Sequence, residues 1–434
     1  VSFVRPRALV PLTASLFAAA FFCAHLTARN TPATSNGNSS DPSATNVSLA
    51  TEDHVSSTGW WPTKSAASLD KFVGTAECAK CHTQIAATQQ TTPMAHAATP
   101  AADSEILQSH SDLTEQRAAF HYELSTSPSA VNFSVTDGAQ SLSATIAWAF
   151  GLGHKGQTYI YERDGGFYES HLSFYKSLQA LDLTTGHDAA TPDDLKSAMG
   201  RWLDADEARR CFGCHTTASS IAGHFDTSHL TPGVQCESCH GPGANHVAAM
   251  KSGKIEQGRA AIFNPRRLNA TASVDFCGAC HRTWADVILG EEKFANVMNV
   301  RFQPYRLEDS KCWRNSNGDA RLACIACHNP HEQLNQNASS YDAKCLTCHS
   351  AAAAGATAEN STATSPKNSS AHFVEKTAAM PLDKSHQNST PKICPQSKSN
   401  CISCHMPQVE VPSIHATFFD HHIRIVRPNS SYPM

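Results

Sequence analysis

Along this chain the apolar residues fall into three successive patterns. Ala8 to Leu26 is a nearly continuous apolar run behind the charged start Val1-Ser-Phe-Val-Arg5-Pro-Arg7, which together read as the h-region and n-region of a secretory signal. Between residues 120 and 150 the period becomes two: Phe120, Tyr122 and Leu124 alternate with other residues, as do Val131, Phe133 and Val135, and then Leu142, Ala144, Ile146, Trp148 and Phe150. Tyr159 to Arg163 and Phe167 to His171 flank Asp164-Gly165-Gly166, a hairpin turn. These runs predict a small antiparallel β unit over residues 115–185. From Cys211 onward neither period persists, and cysteines recur at i and i+3 with a histidine at i+4, positions that share one face of a helical turn.

The recurrence is Cys-x-x-Cys-His, and it occurs seven times: Cys78/Cys81/His82, Cys211/Cys214/His215, Cys236/Cys239/His240, Cys277/Cys280/His281, Cys324/Cys327/His328, Cys345/Cys348/His349 and Cys401/Cys404/His405. Two thiols and an imidazole on one face are what a c-type haem needs, the sulfurs forming thioethers to the porphyrin and the histidine ligating iron. Cysteine pairs also serve structural zinc and thioredoxin-type redox sites, but neither calls for an adjoining histidine in every copy. The motifs predict seven covalently bound c-type haems, with iron in each.

The rest of the chain divides around them. A signal peptide is expected over residues 1–28, cut after Ala28, because Phe22 before Cys23 is too bulky for a good lipidation site. An uncleaved N-terminal anchor is the alternative, and the one route to a membrane. Residues 29–70 are Ser-, Thr-, Asn- and Pro-rich and read as a disordered linker, in which His54 is a candidate ligand for a neighbouring subunit. A first haem segment spans 71–114, the β unit 115–185, and a haem-dense domain with six motifs 186–434, interrupted by a low-complexity loop near 351–370. The 434 residues carry a formal charge of −4 and 17% charged residues. Haem propionates make the loaded protein more acidic still, so nothing favours nucleic acid as a partner. The fold expected from these elements is mainly α and irregular, organised around stacked haems, with the small antiparallel β insertion.

Six-coordinate irons need a second ligand each, and 24 histidines exceed the demand. Three residues reach at most about 11 Å, too little for His331 to round the porphyrin from His328, so His331 is expected to ligate a neighbouring haem. Pro330 blocks continuation of a helix between them. His246, after His240-Gly-Pro-Gly, follows with more slack. Met94 and His96 are candidates for the first haem, where Met would raise the potential relative to His. His229, His372, His415 and His421 are further candidates, and Asp420 is read as an acceptor orienting an imidazole. In an oxidising compartment the remaining Cys312 and Cys394 are expected to pair as a disulfide.

Cys236-Glu-Ser-Cys239-His240-Gly-Pro-Gly-Ala-Asn-His246, Cys327-His328-Asn-Pro330-His331, Cys404-His405-Met-Pro and Phe419-Asp-His421 together resemble the multihaem cytochromes c of the cytochrome c-552/4 (c-554) type. The likeness spans roughly residues 72–428 and implies distal haem ligation by His246 and His331. The chain departs from that pattern after the first motif, where Gln89 and Thr92-Pro-Met94 stand in place of a Trp and a Ser-x-His. The combined reading is an exported heptahaem cytochrome in a respiratory or extracellular electron-transfer chain, in the periplasm or at the cell surface. Its expected partners are redox proteins, either other cytochromes or a quinol-linked donor. Two alternatives remain open: a multihaem oxidoreductase with one open haem acting on nitrogen oxides or hydroxylamine, and a subunit of a conducting filament, which would make the protein an oligomer.

Overall fold

The computed structural model describes residue 62 and residues 67–221, 224–288, 297–313, 322–350, 394 and 397–427. All of them fall in one compact unit, residues 46–434. The expected signal peptide, Cys23, His54, most of the linker, the low-complexity loop and His372 lie outside the described residues.

The largest element is a ten-stranded antiparallel sheet, which overturns the expectation of a mainly α molecule with a small β insertion. Its strands are β1 (Ala98–Pro100), β2 (Asp112–Arg117), β3 (Phe120–Thr126), β4 (Val131–Thr136), β5 (Ser141–Phe150), β6 (Gly156–Arg163), β7 (Gly166–Ser170), β8 (Leu172–Tyr175), β9 (Ala180–Leu183) and β10 (Gly200–Leu203). The main path runs β10-β7-β6-β5-β4-β3-β2, with β1 on β5, and β8 joining β6 to β9. Alternation builds the core. Tyr122, Leu124, Phe133 and Val135 point inward with essentially no exposure, and each such large side chain stabilises the fold by about 1.5–3 kcal/mol. Asp164 and Gly165, both at positive φ, form the two-residue turn between β6 and β7, the conformation that matches strand twist. A register shift between Ile146 and Trp148 lets the long β5 bend.

The sheet outgrows the period-two segment because short strands with little pattern of their own, β1 and β10, are recruited to it. The helices are short, and those that concern the site are α1 (Thr75–Ala79), α2 (Ala205–His215), α3 (Cys236–His240), α4 (Ala244–Lys251), α5 (Ala270–His281), α6 (Gln303–Glu308), α7 (Asp342–His349) and α8 (Cys401–His405). Several are single turns that exist to bring a motif's cysteines and histidine onto one face. The two longest are capped. Asp204 accepts from the Asp206 and Glu207 amides while the Glu207 carboxylate accepts from the Asp204 amide, a full capping box that starts α2. Asn269 starts α5 by accepting from the Ala272 amide.

Sheet and haem region are joined directly. Phe212 of α2 is fully buried against Ala98, Phe150, Ile160 and Leu203, and Phe150 and Phe212 meet edge-on at 5.1 Å. A C-terminal hairpin, β11 (Gln408–Val411) and β12 (Ala416–Phe419), packs Val411, Ile414 and Ala416 on Tyr175 and Val300. Among the described residues, no helix is long and apolar enough to cross a membrane.

Candidate haem-binding site

Each motif is a closed helical turn or its equivalent. Five complete themselves within α2, α3, α5, α7 and α8. In the first and fifth motifs the His82 and His328 amides donate to the Cys78 and Cys324 carbonyls at 2.9 Å, so the i, i+4 geometry holds there too.

Backbone carbonyls then sort the imidazole nitrogens. His215 Nδ1 donates to the Ala97 carbonyl at 2.9 Å, His240 Nδ1 to Phe263 at 2.9 Å and His405 Nδ1 to Arg424 at 2.8 Å. Outside the motifs, His246 Nδ1 donates to Gly258 at 2.8 Å and His421 Nδ1 to Phe419 at 3.1 Å. A carbonyl can only accept, so Nδ1 carries the hydrogen and Nε2 keeps the lone pair that a metal takes. Burial also pulls His215, His240 and His328 below the usual imidazole range, and brings His421 down to about 4. Neutral imidazole is the ligating form.

Three motif histidines lie opposite a second imidazole from another part of the chain. His246 stands opposite His82, with ring centroids 6.4 Å apart and planes 24° from parallel. His331 stands opposite His240 at 5.9 Å and 9°, and His421 opposite His328 at 6.2 Å and 41°. Two imidazoles sharing one metal, each with a metal–nitrogen bond of about 2 Å, have centroids about 6.3 Å apart. The three pairs have that spacing.

A cavity of about 1010 Å³ is bounded by two motifs at once, through Cys211, Cys214 and His215 on one side and Cys280 and His281 on the other. Arg201, Arg209, Arg210, Arg282 and Arg301 also line it, a cationic wall suited to propionate carboxylates. Donor chemistry, tautomers, imidazole spacing and cavity all fit haem.

Neighbouring motifs touch through their thiols. Cys78 meets Cys236, Cys214 meets Cys280, Cys277 meets Cys324 and Cys345 meets Cys401. Cys239 lies within electrostatic range of Cys277 and Cys280, and Cys327 of Cys345. The motifs therefore adjoin in the order first, third, fourth, fifth, sixth and seventh, with the second branching from the fourth.

Four of the expected attachment thiols are not drawn into these contacts between motifs. Cys81 and Cys404 are exposed and Cys211 and Cys348 are half-buried, so their positions are set within their own motifs. The Cys81 amide donates to the Cys78 carbonyl at 3.2 Å. Cys348 shares α7 with Cys345 and lies close enough to help push that thiol up. Cys404 Sγ is 3.9 Å from the Ser403 hydroxyl. The spacing that singled out Cys81, Cys348 and Cys404 is thus kept by the local turn, while their partners Cys78, Cys345 and Cys401 make the contacts to the next motif. Among the seven motif histidines, His82, His281 and His349 are likewise exposed.

The other candidate ligands stand elsewhere. Met94 is half-buried, while His96 is exposed with Nε2 2.8 Å from the Gln90 carbonyl; His246 is the residue that faces His82. His229 is exposed, close enough to Asp226 to help lower its carboxyl. His415 Nε2 lies 2.8 Å from Asp182 Oδ2 on β9, pinning the C-terminal hairpin to the sheet. Asp420 does not orient the His421 ring. Its oxygens accept from Arg306 Nε at 2.9 Å and Nη2 at 3.1 Å, from the His422 amide and from Arg424. Arg306 and Asp420 are both fully buried, so the pair anchors the segment that presents His421. Cys312 and Cys394 are half-buried.

Sequence reading missed Glu237, a variable position within the third motif. Its buried carboxylate accepts from the Val73, Gly74 and Gly243 amides at 2.8–2.9 Å, tying the chain before the first motif to the third. Charge inside a motif whose carboxylate has no local basic partner is the clue that could have found it.

Residues 168–241 match the family model described as cytochrome c554 and c-prime. The multiheme cytochrome MtrA of Shewanella baltica (strain OS185) is 23% identical over 188 residues, 36% of this chain and 56% of that one, so the chain spans little more than half the length of that relative. The outer cell wall cytochrome OcwA, known from a crystal structure, is similar with a TM-score of 0.39 and 14% identity, over 65% of this chain and 68% of that one.

Proposed function

We propose that this chain is a multihaem cytochrome c that binds seven haems and passes electrons among them as an exported carrier in a respiratory or extracellular electron-transfer chain. When bound, the haems supply a one-electron iron couple at each motif. The chain's contribution is to fix them close together, fill their axial positions and set their surroundings. His82, His215, His240, His281, His328, His349 and His405 take the proximal positions, and the cysteine pairs hold the porphyrins. His246 serves the first haem, His331 the third and His421 the fifth. Each distal ligand comes from a segment that follows a different motif, so ligation also welds the chain together.

The observation that carries this reading is the set of three facing imidazole pairs at 5.9–6.4 Å. Irons closed on both sides suit electron passage rather than substrate binding. Thiol contacts support a main path from the first motif through the third, fourth, fifth and sixth to the seventh, with the second as a side branch. Redox proteins, other cytochromes or a quinol-linked donor, are the partners this path implies. The charged start and apolar run of residues 1–26 support export to the periplasm or the cell surface.

Mass spectrometry of the purified holoprotein tests the count: seven covalent haems are expected, and a smaller number at full occupancy would overturn it. Peptide mapping of the same material should find haem on the exposed Cys81 and on Cys348 as on the other motif thiols; alkylation of either would remove that site from the set. The intact mass without reductant tests a Cys312–Cys394 disulfide, for which two alkylatable thiols would be the contrary result. The cavity beside His215 and His281 favours one second reading, an open iron there acting on a nitrogen oxide or hydroxylamine. Cyanide binding to the native oxidised protein would support it, and no spectral change would remove it.

A further inference from the structure

A cluster of buried polar groups beside the second motif has no part in haem attachment. His171 follows β7, is only 4% exposed and stacks on Tyr122 of β3 at 5.9 Å with planes 13° apart. Its Nδ1 lies 3.3 Å from Nδ1 of His187, and its Nε2 is buried without a hydrogen-bond partner among the described residues. His187 in turn places Nε2 3.3 Å from Glu169 Oε2. Glu169 accepts from Arg201 Nε at 2.9 Å, and Arg201 Nη1 donates to Glu207 at 2.7 Å. Glu207 belongs to the capping box of α2, the helix that ends in Cys211, Cys214 and His215. His187, Arg201 and Glu207 line the same cavity as those three motif residues.

We propose that the His171–His187 pair is a proton-binding site coupled to the second haem, taking up one proton when an electron arrives there. The inference rests on that haem being attached at Cys211 and Cys214.

Two nitrogens of the same kind facing each other need one hydrogen between them. In the neutral pair, His187 donates from Nε2 to Glu169, so its Nδ1 accepts from His171 Nδ1 and the lone pair of His171 Nε2 is left buried. Adding a proton makes His187 a donor from both nitrogens, and the His171 hydrogen moves to Nε2. Both states keep the contacts to Glu169 and between the rings, so the pair holds either zero or one extra proton without rearranging its surroundings.

The surrounding charges set the resting state. Burial, His187 and Arg117 of β2 hold His171 down at about 4, so it is neutral at pH 7. Arg117 is itself paired with Asp182 of β9, Arg201 is shared by Glu169 and Glu207, and Tyr122 is uncharged, its hydroxyl pushed up to about 12 by burial. One more negative charge at the haem favours an extra proton on the pair. The step balances with one electron from a neighbouring haem and one proton from solvent, forming one N–H bond.

Spectroelectrochemical titration of the holoprotein between about pH 5 and 8 reads the coupling. One component should fall in potential as pH rises, with the reduction equilibrium changing about tenfold per pH unit, about 59 mV for one electron. His187→Gln keeps a donor for Glu169 and an acceptor for His171, and should flatten that slope while all haems remain attached. His171→Gln should do the same, and Cys211→Ser with Cys214→Ser should delete the component itself. A haem count lacking the second site in the native protein would sink the reading of that site. Seven haems without a pH-dependent component, or a slope that persists in both histidine variants, would overturn the proton site alone.

Discussion

Replacing Asp420 tests how the C-terminal segment is held over the fifth motif. Asp420 and Arg306 are both fully buried and paired through two hydrogen bonds at 2.9 and 3.1 Å. Arg424 and the His422 amide add two more donors to the same carboxylate. Removing one member of a buried ion pair leaves an uncompensated charge and costs about 3–5 kcal/mol. Asp420→Ala should cost that much, because the Arg306 guanidinium loses both hydrogen bonds to the carboxylate while Asp309 stands farther off, at 3.6 Å. Asp420→Asn retains one acceptor and should cost about 1.5–3 kcal/mol, the value of hydrogen bonds to charged groups. His421 adjoins the change, so the loss should reach the fifth haem as a fraction of high-spin iron, larger for Ala than for Asn. Burial pushes the Asp420 carboxyl up, but Arg306, the His422 amide and Arg424 together hold it below the usual carboxylate range. A lowered folded value means the contribution is complete above about pH 4 and lost as pH falls through the folded value. Guanidinium unfolding and spin-state spectra of the holoprotein read both effects. An alanine variant within about 0.5 kcal/mol of wild type, the usual surface range, with unchanged spin state, would refute the reasoning.

The remaining expectations concern the ligand set and its supports. His246→Ala should leave seven attached haems and convert one to high spin, and His331→Ala should do so for a different one; absorption and paramagnetic resonance spectra distinguish them. Glu237→Gln weakens the three amide contacts that join the first motif to the third and should cost about 1.5–3 kcal/mol, seen as a lower unfolding midpoint with all haems retained. Phe133→Ala empties a fully buried position in the sheet and should cost about 3–5 kcal/mol, again by unfolding, with no change in iron spin state.

The seven Cys-x-x-Cys-His turns were legible because their spacing is carried by five consecutive residues. That spacing did not tell the thiols apart: Cys78 and Cys345 meet a neighbouring motif, whereas Cys81 and Cys348, three residues on, are held by their own turns. The sheet was legible only where alternation is long enough, at Phe120–Leu124, Val131–Val135 and along β5. Ala98–Pro100 and Gly200–Leu203 carry too few residues to show a period, and they join through tertiary pairing with β5 and β7. Distal ligands are decided by how motif turns stack in space, so nearness in sequence pointed to Met94 and His96 while His246 faces His82. The acceptors that fix the imidazoles are the carbonyls of Ala97, Phe263, Gly258 and Arg424, and a backbone group leaves no mark in the side-chain pattern. Asp420 was read as an acceptor orienting the neighbouring imidazole, whereas its partner Arg306 is 114 residues away and nothing local links the two.

Paramagnetic resonance of the fully oxidised holoprotein, with irons counted by spin state, bears most directly on the claim that histidines from separate segments close the haem irons in pairs. The account predicts at least three low-spin irons, with one lost in each of His246→Ala, His331→Ala and His421→Ala. Fewer than three low-spin irons in the wild type, or a low-spin count unchanged by all three substitutions, would contradict it.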